Sequence, residues 1–395
     1  MSQGNGTVRY DGERGALFKL AMKTGLLTVV TLGIYRFWAK TRIRKYVWSA
    51  ASLDGDRFEY TGTGLEKLLG FLIAVVFLAI YLGIVQLLLT FVGLGFSLEP
   101  QSQWEVIAQI LSIYISFFAI VPFLFFATYR AQRYKLARTR FRGIRFGMDN
   151  AAGGYVWRAI VHWILTILTL GILLPRQTFW LGKYMTDRSH YGDARFEQGG
   201  RWQDLYGAMK HVFIAIVILV LAAVAGGVLN SGVLAAVLGV VGYIWLIVGF
   251  VAYGVQSWAY MTSNMTLDGK VGFIATPATG QVLKRFILGG LIVGLIAAVG
   301  FAALAAIFAG TMQMAAYGMG PGIATIVVMA VAYLLLIVAL GALSLVFITQ
   351  PITAYLCERL EVQNVRALDA VHQRAADKGA DAEGFADALD MGGAF

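Results

Sequence analysis

The side chains able to do chemistry in this 395-residue chain are few and scattered: four histidines (His162, His190, His211, His372), one cysteine (Cys357) and 22 acids. A zinc or other transition-metal site needs several His, Cys or carboxylate ligands at recurrent spacings. None of the four histidines has such a neighbour, so neither a metal nor a cofactor is expected. The glycines of FEYTGTGLEKLLG (58–70) suggest a phosphate cradle ahead of a helix, but the Lys-Ser/Thr pair of a P-loop is missing. A helix cap is the plainer reading. Asp54, Glu59, Asp187, Asp193 and Glu197 lie in loops without an accompanying base and nucleophile, so no enzymatic activity is expected. The chemistry on offer is cationic. Arg36, Lys40, Arg42, Arg44 and Lys45, and then Arg130, Arg133, Lys135, Arg138 and Arg140, form two dense runs beside apolar sequence. Such a basic collar suits anionic lipid headgroups, at roughly 1 kcal/mol per cation near a membrane surface.

The elements that must carry these residues are apolar. Hydrophobic residues make up 58% of the chain and charged ones 14%, with a mean hydropathy of +0.70, outside the range of soluble domains, where roughly a quarter of residues are charged. Six stretches free of Asp, Glu, Lys and Arg are each near or above the ~20 residues that cross a hydrocarbon core as a helix: 68–96, 106–128, 212–229, 233–255, 286–310 and 323–349. The loops between them alternate. Those at 97–105, 230–232 and 311–322 hold no Lys or Arg, whereas 36–67, 129–154, 176–210 and 256–285 are basic, which places the latter, and both termini, in the cytoplasm. A net charge of +10 is what this bias alone produces, so nucleic acid is not an expected partner. The polar N-terminus lacks the pattern of a cleaved signal peptide.

Two further apolar stretches, 17–37 and 155–175, contain Lys19, Lys23, Arg158 and His162. Crossing by the second would put a basic loop on the wrong side, so both are read as interfacial or re-entrant helices, with short spans as the alternative. Residues 26–46 also align with 164–184, an offset of 138, pairing Thr28 with Thr166, Thr31 with Thr169 and Leu32-Gly33 with Leu170-Gly171. A shorter echo sets a tyrosine eight residues ahead of a turn-forming pair: Tyr46 before Asp54-Gly55, Tyr134 before Arg142-Gly143, Tyr184 before Gly192-Asp193, Tyr260 before Asp268-Gly269 and Tyr355 before Gln363-Asn364. These tyrosines are either interfacial anchors or a ring that contacts a ligand. The expected fold is an all-α polytopic membrane protein with six transmembrane helices, two interfacial or re-entrant helices, internal repeats and small cytoplasmic β-hairpins. It divides into a first repeat half (1–150), a second (151–260), a third helix pair (261–355) and a cytoplasmic tail (356–395). Gly290, Gly294, Ala298, Ala302 and Ala306 form a small-residue row read as intrachain packing or a subunit interface.

The string TLGIYRFWAKTR (31–42), followed by LDGDRFEYTGTG (53–64), resembles the opening of the YjgN-like family of bacterial inner-membrane proteins, a domain of unknown function. The resemblance implies a multi-pass protein of the bacterial inner (plasma) membrane and supplies no activity or site residue. From the residues, the leading expectation is a channel or transporter for a small anionic or lipid-like solute. The alternative is a non-transporting scaffold that binds anionic lipid or a partner protein through its basic face.

Overall fold

Short segments of period-two alternation separate the long apolar ones, and a computed structural model, which describes residues 4–95, 102–316 and 322–374, sets both in a fixed order. A five-residue strand leads into two helices, a shorter strand follows, and a tight turn starts the next copy. The first copy is β1 (Gly6–Tyr10), α1 (Arg14–Val30), α2 (Arg36–Ala50) and β2 (Ala51–Leu53); the second is β3 (Asp56–Tyr60), α3 (Gly64–Phe91), α4 (Gln103–Ala137) and β4 (Thr139–Phe141). The third comprises β5 (Ile144–Met148), α5 (Ala152–Leu168), α6 (Leu174–Thr186) and β6 (Ser189–Tyr191). In the fourth, β7 (Ala194–Gln198) and a 3-10 turn (Trp202–Leu205) precede α7 (Tyr206–Gly227), α8 (Gly232–Ser263) and β8 (Met265–Leu267). The fifth runs through β9 (Val271–Ala275), α9 (Thr279–Ala316) and α10 (Ile323–Ser344), which passes through a π-helical turn (Leu345–Thr349) into α11 (Gln350–Glu358) and β10 (Leu360–Gln363). Among the described residues, six helical stretches are long and apolar enough to cross a membrane: Gly64–Phe91, Gln103–Ala137, Trp202–Gly227, Gly232–Ser263, Thr279–Gln313 and Ile323–Glu358.

The all-α expectation is overturned by the strands. They are not isolated hairpins but members of antiparallel sheets, although most of the chain is helical. The physical reason is that a lone two-stranded hairpin is marginal in water and exposes unpaired N–H and C=O groups. Here β1 joins β2 and β10, so the β2–β3 and β9–β10 pairs each find a partner on the side facing β1. The pattern supports this. The third residue of every five-residue strand is apolar (Val8, Phe58, Phe146, Phe196, Phe273), as is the residue closing each of the first four short strands (Leu53, Phe141, Tyr191, Leu267). The alternate positions carry Arg9, Arg57, Arg145 and Arg195. In the connecting turns, Asp54-Gly55, Arg142-Gly143 and Asp268-Gly269 have positive φ at both residues and Gly192 has φ of 55°, the geometry that two-residue hairpin turns require; Asn364, with φ of 56°, follows β10 and leads into a 3-10 turn (Val365–Ala370).

By internal contacts the chain divides into two units. One holds residues up to 58 with 199–369, and its strands run in the order β8-β9-β10-β1-β2-β3. Here α7 packs closely on α8, because Gly249 lets the helices meet: a Cβ on it would lie 2.9 Å from Val212 N and 3.0 Å from His211 C. Gly289 faces Phe347 O in the π-helical turn, Gly300 faces Leu336 of α10, and Gly25 brings α1 against Val338. The small-residue row is not this contact; Gly294, Ala298, Ala302 and Ala306 are exposed.

The other unit holds 59–198 with residues from 370 onward, with strands in the order β4-β5-β6-β7. Its α3 and α4 meet through Ala74, Phe123, Ala127 and Ala131, the Phe77–Phe123 stack at 5.9 Å and a polar cluster in which Gln86 bonds Ser112 at 3.3 Å. Tyr129, Met148, Tyr155 and Tyr184 form a second core at the base of α5 and α6.

Each unit contains one of the two stretches that carry charges within apolar sequence, and both fold as a helix, a tight turn and a returning helix. The turns match bond for bond. Gly33 N–H donates to Thr28 O and Gly171 N–H to Thr166 O, both at 2.7 Å. Thr31 Oγ1 donates back to Leu27 O (2.7 Å) while accepting from Tyr35 N–H (2.9 Å), and Thr169 does the same with Leu165 O (2.8 Å) and Leu173 N–H (3.2 Å). One threonine thus serves the end of one helix and the start of the next. Leu32 and Leu170 sit at the apices with φ of 50° and 51°.

Replacing Gly249 with Val forces α7 from α8 and is expected to lower stability in detergent by about 1–3 kcal/mol. Gly254→Val, at a position whose added Cβ meets nothing within 4 Å, is expected to leave the melting temperature nearly unchanged.

Candidate functional site

A two-helix hairpin needs something to hold its open end. In all five copies the repeat tyrosine does this: it sits near the end of the returning helix and bonds the start of the outgoing one. Tyr46 donates to Glu13 O at 2.8 Å and Tyr184 to Ala151 O at 2.9 Å, the N-cap carbonyls of α1 and α5. Tyr134 donates to Glu66 Oε2 at 2.9 Å in the first turn of α3. Tyr260 accepts from Arg201 N–H at 2.7 Å and donates to Asp204 Oδ2 at 2.7 Å, and Tyr355 accepts from Ala278 N–H at 2.9 Å, just ahead of α9. The glycine run before α3 is a helix cap, since Thr63 Oγ1 accepts from Glu66 N–H at 3.3 Å, the N-cap arrangement, while the Glu66 carboxylate turns to Tyr134 and Arg138.

Arginines cover several of these rings. Arg188 and Arg158 place their guanidinium carbons 3.6 and 4.7 Å from the Tyr184 ring centre, and Arg285 and Arg359 lie 4.2 and 5.5 Å from that of Tyr355. Arg138 lies 5.5 Å from the Tyr134 ring and pairs with Glu66 at 3.1 Å. Cation–π contact of this kind contributes roughly 0.5–2 kcal/mol.

The ten collar residues fall into two groups with different surroundings. On α2, Arg36, Arg42 and Lys45 are exposed and Lys40 is half-buried, whereas Arg44 is fully buried. Arg36 lies over Phe37 and Arg42 over Tyr35. In the other unit, Arg133 is buried and donates to Met148 O at 3.2 Å; Arg130, Lys135, Arg138 and Arg140 are half-buried, with Arg130 over Phe126. Position within a basic run therefore does not decide exposure. Arg44 and Arg133 belong to the interior.

Among the described residues no group of His, Cys, Asp and Glu is placed to hold a metal. His162 approaches Arg176 (3.4 Å between Nδ1 and Nη1), His211 lies beside Trp245, His190 sits in β6, and the His372 N–H donates to Asp193 Oδ1 at 2.9 Å. That last contact, with Arg145 N–H donating to Gln373 Oε1 at 2.8 Å, holds the start of the tail on the β6–β7 turn. The acidic remainder of the tail lies outside the described residues.

A concave polar surface also exists that no motif announced. Three strands set Arg9, Ser52 and Arg57 side by side, Arg9 opposite Ser52 and Ser52 opposite Arg57, in a cavity of about 420 Å³. The available signal was the period-two placement of arginine in VRYD and DRFEY.

The family model described as a bacterial protein of unknown function (DUF898) matches residues 5–388. An inner membrane protein YjgN from Salmonella typhimurium is 28% identical over 170 residues, 43% of this chain and 38% of the relative; that of Escherichia coli O157:H7 is 26% identical over 160 residues, 40% of this chain and 35% of the relative. The matched stretches thus span under two fifths of those relatives' lengths. No solved structure matches the chain.

Tyr46→Phe is expected to cost about 0.5–1.5 kcal/mol, and Tyr134→Phe, which loses a bond to a carboxylate, about 1.5–3 kcal/mol, both read from unfolding in detergent. Burial, and then Tyr46, push Tyr10 up to about 12, and burial raises Tyr46 as well. A phenol whose pKa is higher folded than unfolded leaves stability level below about pH 10. An alkaline titration is expected to show stability falling as pH rises from there through about 12, and less steeply in Tyr10→Phe.

Proposed function

The chain belongs to the DUF898 family of bacterial proteins, and from that premise we propose a multi-pass inner-membrane protein with a transport-type rather than an enzymatic role, moving a small anionic or lipid-like solute. The basic loops and both termini lie in the cytoplasm in this reading. The observation that carries it is the pair of apical leucines. Leu32 and Leu170 are 94% and 90% exposed in a left-handed conformation that costs an L-residue roughly 1–2 kcal/mol and that glycine or asparagine fills more readily. An aliphatic side chain held there twice, flanked by exposed Val30 and Ile34 in one copy and Leu168 and Ile172 in the other, suits acyl chains rather than water. Hairpins that enter and leave one leaflet place turning backbone at membrane depth, a device of proteins that carry solutes through a bilayer.

A lipid-like solute fits better than a proton-coupled one, because the polar groups that meet midway along the α3–α4 contact, Tyr81, Gln86, Ser112 and Ser116, are uncharged. The collar then meets anionic headgroups through its exposed members, Arg36, Arg42 and Lys45.

The test is reconstitution of the purified chain in liposomes holding a fluorescent anionic lipid and an entrapped anion. The expected result is lipid translocation or anion efflux above that of empty liposomes, reduced several-fold by the double variant Leu32→Ser, Leu170→Ser. Tight vesicles in which neither moves would overturn the transport reading; anionic lipid retained on purification would then favour the scaffold.

A further inference from the structure

The two sheet regions built from aligned sequence differ in one respect, and that difference points to a binding site. In the first, Arg9, Ser52 and Arg57 share one face across β1, β2 and β3, with Asp11 two residues beyond Arg9. In the second, at the offset of 138, the same positions are Gly147, His190, Arg195 and Asp149, in the same register across β5, β6 and β7. The second copy is closed. The His190 imidazole occupies the space over Gly147, where an added Cβ would lie 2.3 Å from its Nε2, and Arg195 pairs with Asp149 at 3.2 Å.

The first copy is open. A serine stands where the imidazole would fill, the cavity of about 420 Å³ is lined by Thr7, Arg9, Asp11, Ser52, Asp54 and Arg57, and neither Arg9 nor Arg57 pairs with a carboxylate among the described residues. Ser52 is 7% exposed and forms the floor. Two guanidinium groups flanking a hydroxyl supply N–H and O–H donors of the kind a phosphate's oxygens accept from, Arg by paired N–H bonds. Asp11 at the edge disfavours a highly charged polyanion and attracts an ammonium group.

We propose that this cavity binds a phosphate ester bearing a primary amine, with the phosphate between Arg9 and Arg57 over Ser52 and the ammonium towards Asp11. The ligand is the headgroup of a zwitterionic lipid or the corresponding free amino-alcohol phosphate; the shared chemistry is the same. The site does not depend on the transport reading.

The test is calorimetric titration of the full-length chain in detergent with phosphoethanolamine, beside inorganic phosphate, repeated with the chain in nanodiscs containing or lacking phosphatidylethanolamine. Phosphoethanolamine is expected to bind more tightly than phosphate. Arg57→Gln is expected to weaken it by roughly tenfold to a hundredfold, the usual effect of losing a charge-assisted contact. The double variant Arg9→Gly, Ser52→His copies the closed repeat, so it should fold with an unchanged melting temperature and not bind; Arg195→Gln should bind like the parent chain. Phosphoethanolamine binding suppressed in the discs that contain phosphatidylethanolamine assigns the ligand to the lipid headgroup, whereas equal binding in both kinds of disc assigns it to the free ester. Binding unchanged in the double variant, equal loss in Arg195→Gln, or no preference over phosphate would each overturn the proposal.

Discussion

Hydrocarbon does not solvate a peptide group, and in the membrane setting proposed above that constraint governs how this chain can turn. Wherever apolar sequence reverses direction, every N–H and C=O freed at a helix end needs a partner from the chain itself. The Thr31 and Thr169 turns meet the requirement with one hydroxyl that donates to the outgoing helix and accepts from the returning one. At the opposite end of each hairpin the tyrosine hydroxyl performs the matching task. A hairpin tied at both ends can be shorter than a full span and still hold its shape.

The strands follow from the same logic on the polar side. Each hairpin delivers its two chain ends side by side, and strand pairing absorbs their backbone groups, with an apolar residue at the middle of each five-residue strand and arginine at alternate positions. Because the copies share this frame, residue differences between them read as local decisions. His190 and Gly147 fill a space that Ser52 and Arg9 leave open, and Arg195, paired with Asp149, corresponds to Arg57, which has no carboxylate partner among the described residues. A duplicated scaffold can in this way carry a closed structural copy and an open one that is free to bind.

Much of this was legible in the residues. The six apolar stretches coincide with the six candidate spans, and each of the five turn pairs placed eight residues after a tyrosine contains a residue with positive φ. Local chemistry dictates both, so a window of sequence contains the information. The sheets were not legible, because β1 and β10 pair Gly6 with Val362, and nothing in GTVRY or LEVQ names a partner that distant. The collar was read as one surface although Arg44 and Arg133 are buried; a basic run shows that charge is present, while packing decides which of its members reach solvent. The glycines that let helices touch, Gly249, Gly289 and Gly300, stand outside the most regular small-residue row, since close approach depends on where the helices cross.

The most direct measurement is the depth of the hairpin apices. Spin labels placed at positions 32 and 170, in a Cys357→Ser background reconstituted in liposomes, report collision with oxygen, which concentrates in hydrocarbon, and with a water-soluble nickel complex. The account predicts that both labels favour oxygen, and that a label at Arg42, midway along α2 and exposed, favours nickel. Apical labels that collide freely with nickel would put the leucines in water and contradict the idea that these hairpins turn inside the membrane.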